Sequence, residues 1–414
     1  MKINFSHKLL NFSFYIAAIF PLLPQDILGL PVILLIISSI INYFNFRENS
    51  FDYKKLIIAT IPFFLFLVSS FYSDDFSDAF KKVSGTRLSL LVVPLSFFLF
   101  SNSSLIFLKS QLYKFQIVFS VTSFLLCLYY FAYLPFLEPP QNPHFAFPSG
   151  FFFKTATQKI PFFHLEPVYL SFLLVLSFIN TTFLYVKNHL NLVYFIIVSI
   201  FYLSVIFLMS SKVAIVFTIL FGTWFVFYIL KKKKFRIVIM LLILFSLYPL
   251  SQIPSIKYEI EEIQYFLRGE KRAKDDSTQK RYLITVGALA LANQVNPIIG
   301  TGIGDIKKNL NEIYIKKEYD ELLPRSYGTH NQFLSMFIGT GIIGLIGLII
   351  QLTSLITITI KRKLMFGFWV ILFFSFQMLT EAILQRQVPV IIYSVFISLI
   401  LFFPINNKNY ERKN

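Results

Sequence analysis

The chain has 414 residues, of which 56% are hydrophobic and only 14% charged, with a mean hydropathy of +0.67. A soluble globular protein carries nearer a quarter charged, so a soluble enzyme and a disordered chain are both excluded and a polytopic membrane protein is indicated. The net charge of +17 is no nucleic-acid signal, because most of the excess sits in short loops between apolar runs, where it sets topology.

Taken in order, apolar runs of near-membrane length fall at about 8–24, 28–44, 56–72, 86–102, 112–136, 165–186, 190–209, 211–230, 235–250, 331–358, 365–384 and 387–404. About 20 residues cross the hydrocarbon core, which gives roughly twelve spans. None shows strand alternation, and a backbone in lipid must satisfy itself, so the spans are expected to be helices and the fold class all-α. The first run, Leu9 to Leu23, lacks a small-residue cleavage site and is followed at once by a second span, as in an uncleaved signal anchor. The single cysteine, Cys127, lies in an apolar run, so neither an intramolecular disulfide nor a cysteine-based metal site is possible.

Twelve spans put both termini on one side. The runs Lys231 to Lys234 and Lys361-Arg362-Lys363 then share that side, while the opposite short loops carry fewer cations, so the termini are expected inside. Two long segments fall outside. The first, about 137–164, is rich in Pro and aromatics. The second, about 251–330, holds twelve Lys or Arg against eleven Asp or Glu and is nearly neutral. Ile256 to Arg268 and Arg281 to Gln294 both read as helices within it. The expected division is a bundle of about nine helices over 1–250, a large outer loop over 251–330, and about three helices with an inner tail over 331–414.

Gly300-Thr301-Gly302-Ile303-Gly304 has the look of a nucleotide loop, but no βαβ unit surrounds it and no Gly-Lys-Ser follows. A tight turn after Pro297 is the expectation. Gly339, Gly341, Gly344 and Gly347 have the small-residue spacing of close helix packing. His330 stands just after Thr329, the expected helix cap, with Asn331 and a long apolar helix behind it. Helix N-termini favour anions, which gives this position chemical as well as structural meaning.

Lys212 follows Ser210-Ser211 in a connection of almost no length. It either snorkels to the surface or binds an anionic substrate at the membrane edge. Arg281 opens a helix of the outer loop. Glu381 lies in an apolar run and needs a partner; pairing with Arg386 and orienting a site are both open. His164 and Glu166 precede the sixth span and could be two metal ligands, too few for a closed zinc site. Lys212, Arg281, His330, Glu381, Arg386, His164 and Glu166 all fall on the outer face under one topology. No comparable set lies deep in the spans, which disfavours an ion-coupled transporter.

At these residues the chain resembles the O-antigen ligase and O-antigen polymerase superfamily. The likeness rests on Arg281 followed by Pro297-Ile298-Ile299-Gly300-x-Gly302-x-Gly304, and on His330-Asn331-x-x-Leu334 running into Gly341-Ile342-Ile343-Gly344. It rests also on the Ser211-Lys212 step, where the family has Ser-Arg, and on Glu381 with Arg386-Gln387. Lys212 keeps the charge of the usual Arg but not its planar fork.

The resemblance implies a multi-pass protein of the bacterial inner membrane, with cytoplasmic termini and a periplasmic active site. It implies an inverting, metal-independent glycan transfer with no cofactor. The donor is an undecaprenyl-pyrophosphate-linked saccharide. The acceptor is lipid A–core for a ligase, another lipid-linked saccharide for a polymerase, or a protein for an O-glycosyltransferase. Membrane lipids are the surrounding partners, and no nucleic acid is implied. A transporter for lipid-linked sugars and a non-catalytic assembly factor remain as non-enzyme alternatives. In the transferase reading Lys212 and Arg281 hold the pyrophosphate and stabilise its developing charge. His330 serves with Arg281 at the catalytic centre, as a base or as a positioning group, because a histidine ordinarily titrates near neutral pH. Asn331, Glu381, Arg386, His164 and Glu166 support them.

Overall fold

The computed structural model describes residues 2–46, 51–137, 150–229, 254–268 and 277–404. Among these the regular structure is helical throughout. The helices are α1 Lys2–Ala18, α2 Leu30–Asn45, α3 Tyr53–Ser70, α4 Phe76–Ser84, α5 Ser89–Leu99, α6 Asn102–Ser110, α7 Leu112–Tyr133, α8 Gly150–Lys159 and α9 Pro167–Val186. They continue with α10 Leu192–Met209, α11 Lys212–Ile229, α12 Pro254–Leu267, α13 Ser277–Ala292, α14 Ile306–Lys316, α15 Gln332–Lys361, α16 Met365–Met378 and α17 Gln387–Phe402. Among the described residues, eight helical segments are long and apolar enough to cross a membrane, and α16 and α17 are shorter apolar helices. The protein is an all-α polytopic membrane protein. The expected span at 235–250 lies outside the described residues, and that at 8–24 corresponds to the 17-residue α1.

Two helices form the centre. In α9 nearly every side chain from Tyr169 to Leu184 is buried, and α17 is buried from Val388 to Phe402. A helix apolar all round belongs inside a bundle. α9 packs against α7, α10 and α16, and α17 against α3, α5 and α15. The outer helices keep an apolar stripe on the surface. Ile33, Ile37 and Ile40 on α2 and Ile342, Ile343, Ile346 and Ile350 on α15 are all exposed, as suits helices facing lipid.

Lipid supplies no hydrogen bonds, so breaks in these helices must be repaired by neighbours. Pro62 inside α3 has no N–H to give the Ile58 carbonyl. The Gln351 side chain of α15 donates to it at 2.9 Å and to Ala59 at 3.0 Å, and the Tyr393 hydroxyl of α17 donates back to Gln351 at 2.7 Å.

A second break bears directly on the outer segment. α15 is not one continuous helix: Gly341 has φ 66° and ψ −164°, a region open essentially to glycine alone. The interruption frees backbone groups on both sides of it. Thr301 N–H donates to the Ile338 carbonyl at 2.8 Å, Gly302 N–H to Gly339 at 3.1 Å, and Ile342 N–H to Pro297 at 2.8 Å. The glycine-rich loop is therefore spliced into the helix. Simple close packing of Gly339 to Gly347, as the spacing suggested, does not describe Gly341.

A Cβ at Gly341 would lie 2.0 Å from the Ile298 carbonyl oxygen. Gly341→Ala is expected to destabilise the protein by about 3 kcal/mol or more, from the forbidden backbone region and the clash together. Gly222→Ala is the control. Its Cβ meets nothing within 4 Å, and the change should be neutral or stabilising by up to about 1 kcal/mol. Thermal unfolding of both variants in detergent measures the difference; equal midpoints would refute the splice as a stabilising element.

Candidate functional site

The outer segment is not a loose loop. Ile284, Ala288 and Leu291 of α13 pack with Ile306, Leu310, Ile313 and Tyr314 of α14, and Ile338 of α15 joins this small core to the bundle. A second anchor comes from Asp305. Its carboxylate accepts from Ser73 Oγ at 2.8 Å and from the backbone N–H groups of Asp74 and Asp75 at 2.8 and 3.0 Å. The Ser73 hydroxyl in turn accepts from Gly304 N–H at 2.9 Å. This staple fixes the start of α14 against the α3–α4 turn, so Lys307 of α14 and Lys82 and Arg87, at and just after α4, line one cavity.

α16 ends at Met378, several residues short of the expected 384. Glu381 is thus beyond the helix, in the connector to α17, and 5% exposed. It does not pair with Arg386. One oxygen accepts from Arg281 Nη2 at 2.8 Å, and the other lies 2.9 Å from His330 Nδ1. Arg281 also donates from Nη1 to the Thr380 carbonyl at 3.0 Å. Burial alone would raise the Glu381 pKa, but the hydrogen bonds and charges of His330 and Arg281 outweigh it and hold the carboxyl below its ordinary value. Glu381 is therefore ionised and can only accept. That assigns the proton of the neutral imidazole to Nδ1 and leaves Nε2 as an acceptor.

Asn331, not Thr329, caps α15: its Oδ1 accepts from Leu334 N–H at 3.0 Å, and its Nδ2 donates to the Leu379 carbonyl at 3.0 Å. His330, just before the cap, has φ +43°. The cap and this left-handed residue turn the chain so that the imidazole reaches Glu381 rather than continuing along the helix.

Lys212 reaches the same assembly from the other side. Its Nζ donates to Thr278 Oγ1 at 2.8 Å, and Thr278 stands one turn before Arg281 on α13. The four positions 212, 281, 330 and 381 are thus linked through short contacts although they are far apart in the chain.

The cavity beside them has a volume of about 490 Å³, a size that accepts a small-molecule headgroup. His330, Glu381, Glu166 and Arg386 line it. Arg386 Nη2 approaches Glu166 Oε1 at 3.8 Å with both side chains exposed, a contact worth little by itself. His164 is elsewhere. It is exposed and lines a separate small cavity with Phe20, Pro21 and Leu28, so it does not share a metal site with Glu166.

Sequence reading missed Lys82, Arg87, Tyr169, Lys307 and Arg325, which also line the cavity. Nothing local marks them: Lys82 and Arg87 read as ordinary loop cations, and only the Asp305 staple brings Lys307 beside them. The Lys307 ammonium is held below its ordinary pKa by desolvation and by the charges of Arg386 and Lys82. Burial is the larger cause, and Asp78 offsets part of the repulsion.

No curated protein matches the chain. A family model described as O-antigen ligase matches residues 195–349, which include Lys212, Arg281, the glycine-rich loop, His330 and the break at Gly341. Members of that family are glycan-transferring enzymes, ligases and polymerases, acting on lipid-linked glycans. Over residues 195–349, the chain is similar to the O-antigen ligase family.

Proposed function

We propose that the protein is an O-antigen ligase, which moves a saccharide from an undecaprenyl-pyrophosphate carrier to lipid A–core on the periplasmic face of the inner membrane. The observation that carries the reading is the His330–Glu381 pair on the wall of a cation-rich cavity, with Arg281 bonded to the other oxygen of Glu381. The acceptor hydroxyl attacks the anomeric carbon of the donor sugar. The new C–O bond forms as the bond to the lipid pyrophosphate breaks, with inversion, and the pyrophosphate leaves with the electron pair. His330 Nε2 takes the hydroxyl proton, while the Glu381 carboxylate steadies the imidazolium that results. Cations on the cavity wall stabilise charge on the departing pyrophosphate. Two substrates anchored in one membrane gain further rate from proximity. No step needs a metal or a cofactor.

In this reading Arg281 acts chiefly by holding Glu381, and Lys212 by holding Thr278 and the start of α13. Residues 1–250 form the bundle, 251–330 the periplasmic cap and 331–414 the closing helices and tail, with both termini cytoplasmic. A deletion strain provides the test. Surface glycolipids run on a gel should lose long glycan on lipid A–core, while undecaprenyl-linked polymer accumulates. A single repeat still attached to lipid A–core would mean a polymerase instead, and an unchanged ladder would overturn the lipopolysaccharide assignment.

A further inference from the structure

Two adjacent residues at the start of α15 grip the connector that carries Glu381. Asn331 Nδ2 donates to the carbonyl of Leu379, just before Glu381, at 3.0 Å. Gln332 Oε1 accepts from the N–H of Leu384, just after Glu381, at 2.8 Å. One side chain takes a carbonyl and the next an N–H, so the connector is tied on both sides of the carboxylate. Gln385 Nε2 adds a bond to Ser335 Oγ, one turn further along α15.

Asn331 also caps α15, but Gln332 caps nothing. It is fully buried, at 0% exposure. Its Nε2 has no hydrogen-bond partner among the described residues. Burying an amide with one end unmet carries a cost that a leucine or methionine in its place would avoid. What the glutamine supplies in return is its oxygen. Leu384 is itself buried, and its N–H lies in the first turn of a short 3₁₀ segment, Ile383–Gln385, where a helix has no acceptor of its own. The Leu384 carbonyl meets Arg87 Nε at 3.3 Å, so the peptide groups on both sides of Leu384 are fixed. His330 stands immediately before this grip, with Nδ1 2.9 Å from Glu381 Oε2. Consecutive residues 330, 331 and 332 thus meet one connector at Glu381, Leu379 and Leu384.

We propose that Gln332 is a positioning residue: by holding Leu384 it keeps the Glu381 carboxylate on His330 Nδ1 and so leaves Nε2 as the accepting nitrogen. It touches no substrate itself, being fully buried. Its importance for transfer rests on the ligase reading of the site; its hold on the imidazole does not.

The test is nitrogen NMR of the full chain in detergent, isotopically labelled at histidine, in alkaline buffer where imidazoles are neutral. His330→Asn identifies the His330 signal by its disappearance. Wild type should carry the proton on Nδ1. Gln332→Leu removes the accepting oxygen, and a measurable share of His330 should pass to the Nε2–H form. Should Gln332→Leu not fold, Gln332→Asn takes its place, since an amide one methylene shorter does not reach Leu384. Gln332→Glu keeps an oxygen at the same reach and should keep the wild-type tautomer. Tyr393→Phe is the control for a general loosening. It removes a 2.7 Å hydrogen bond to Gln351, further along the same helix, and should leave the tautomer unchanged.

In a transfer assay Gln332→Leu should lower kcat by about 10- to 100-fold, the effect of a misplaced base, with KM within about twofold because no substrate contact is lost. The proposal is overturned if Gln332→Leu, or Gln332→Asn in its place, keeps the wild-type tautomer, shifts it no more than Tyr393→Phe does, or transfers with the wild-type kcat. A wild type that transfers nothing would count against the ligase reading alone, because the tautomer is measured without substrate.

Discussion

Replacing His330 with alanine should abolish glycan transfer, by at least the roughly 10²- to 10⁴-fold that a positioned general base contributes, while the protein remains inserted in the membrane. The imidazole is partly exposed, at 30% of its side-chain surface, so its removal leaves no cavity in the core. A sharper variant is His330→Asn. Asparagine tolerates the left-handed backbone found here at φ +43°, and its amide can still donate toward Glu381. It places no base where Nε2 stood. If His330 removes the acceptor proton, His330→Asn is as inactive as His330→Ala. Substantial transfer by His330→Asn would instead mean that the side chain only positions the cap, and normal transfer by His330→Ala would remove it from the chemistry altogether. The assay is transfer from undecaprenyl-linked glycan to lipid A–core in proteoliposomes.

The second large effect is expected at Glu381. Its two oxygens serve Arg281 and His330 separately, at 2.8 and 2.9 Å. Glutamine has one acceptor and one donor end, so it cannot serve both. If its oxygen faces Arg281, its NH₂ faces Nδ1 and draws the imidazole proton to Nε2, where a base is needed. Glu381→Gln should therefore lower transfer by about 10²- to 10⁴-fold without loss of insertion. Stability should fall by about 1–3 kcal/mol. That is less than for a fully buried pair, because the Arg281 side chain is 44% exposed and solvent screens it.

The pH dependence follows with its sign. The Glu381 carboxyl is held below its ordinary value in the folded protein. Its contribution to stability is complete above the ordinary glutamate pKa, about 4.3, and is lost as pH falls through the lower folded value. Wild type should lose stability on that acid limb, and Glu381→Gln should lose less. Parallel acid limbs in both proteins would show that Glu381 is not the group responsible.

How far the site could be read from the chain differs residue by residue. His330 and Arg281 were visible because each stands, by sequence, where an apolar helix opens, although α13 begins four residues before Arg281, at Ser277. Glu381 was visible as a carboxylate in need of a partner, but the partner was not. Arg386, five residues away, was the natural candidate by sequence, yet the connector after Met378 turns Glu381 toward α13 and leaves Arg386 near Glu166. His164 looked like a partner for Glu166, yet it lines a separate cavity with Phe20, Pro21 and Leu28. Arg87 gave no local sign at all.

By itself the sequence determined the solvent of this protein and most of its helices. Long apolar runs with no polar relief can satisfy their backbone in lipid only as helices, so hydropathy and length suffice. It also determined which kinds of side chain were costly enough to be kept for chemistry. Only the tertiary structure decided which of them meet. The splice of Pro297–Gly302 into the break at Gly341, the staple from Asp305 to the α3–α4 turn, and the bridge from Glu381 to Arg281 and His330 join residues 37 to 232 positions apart. Such contacts depend on where a helix is interrupted and which backbone groups that interruption leaves unpaired. Hydropathy carries no information about either, since a broken helix and a continuous one bury the same apolar residues.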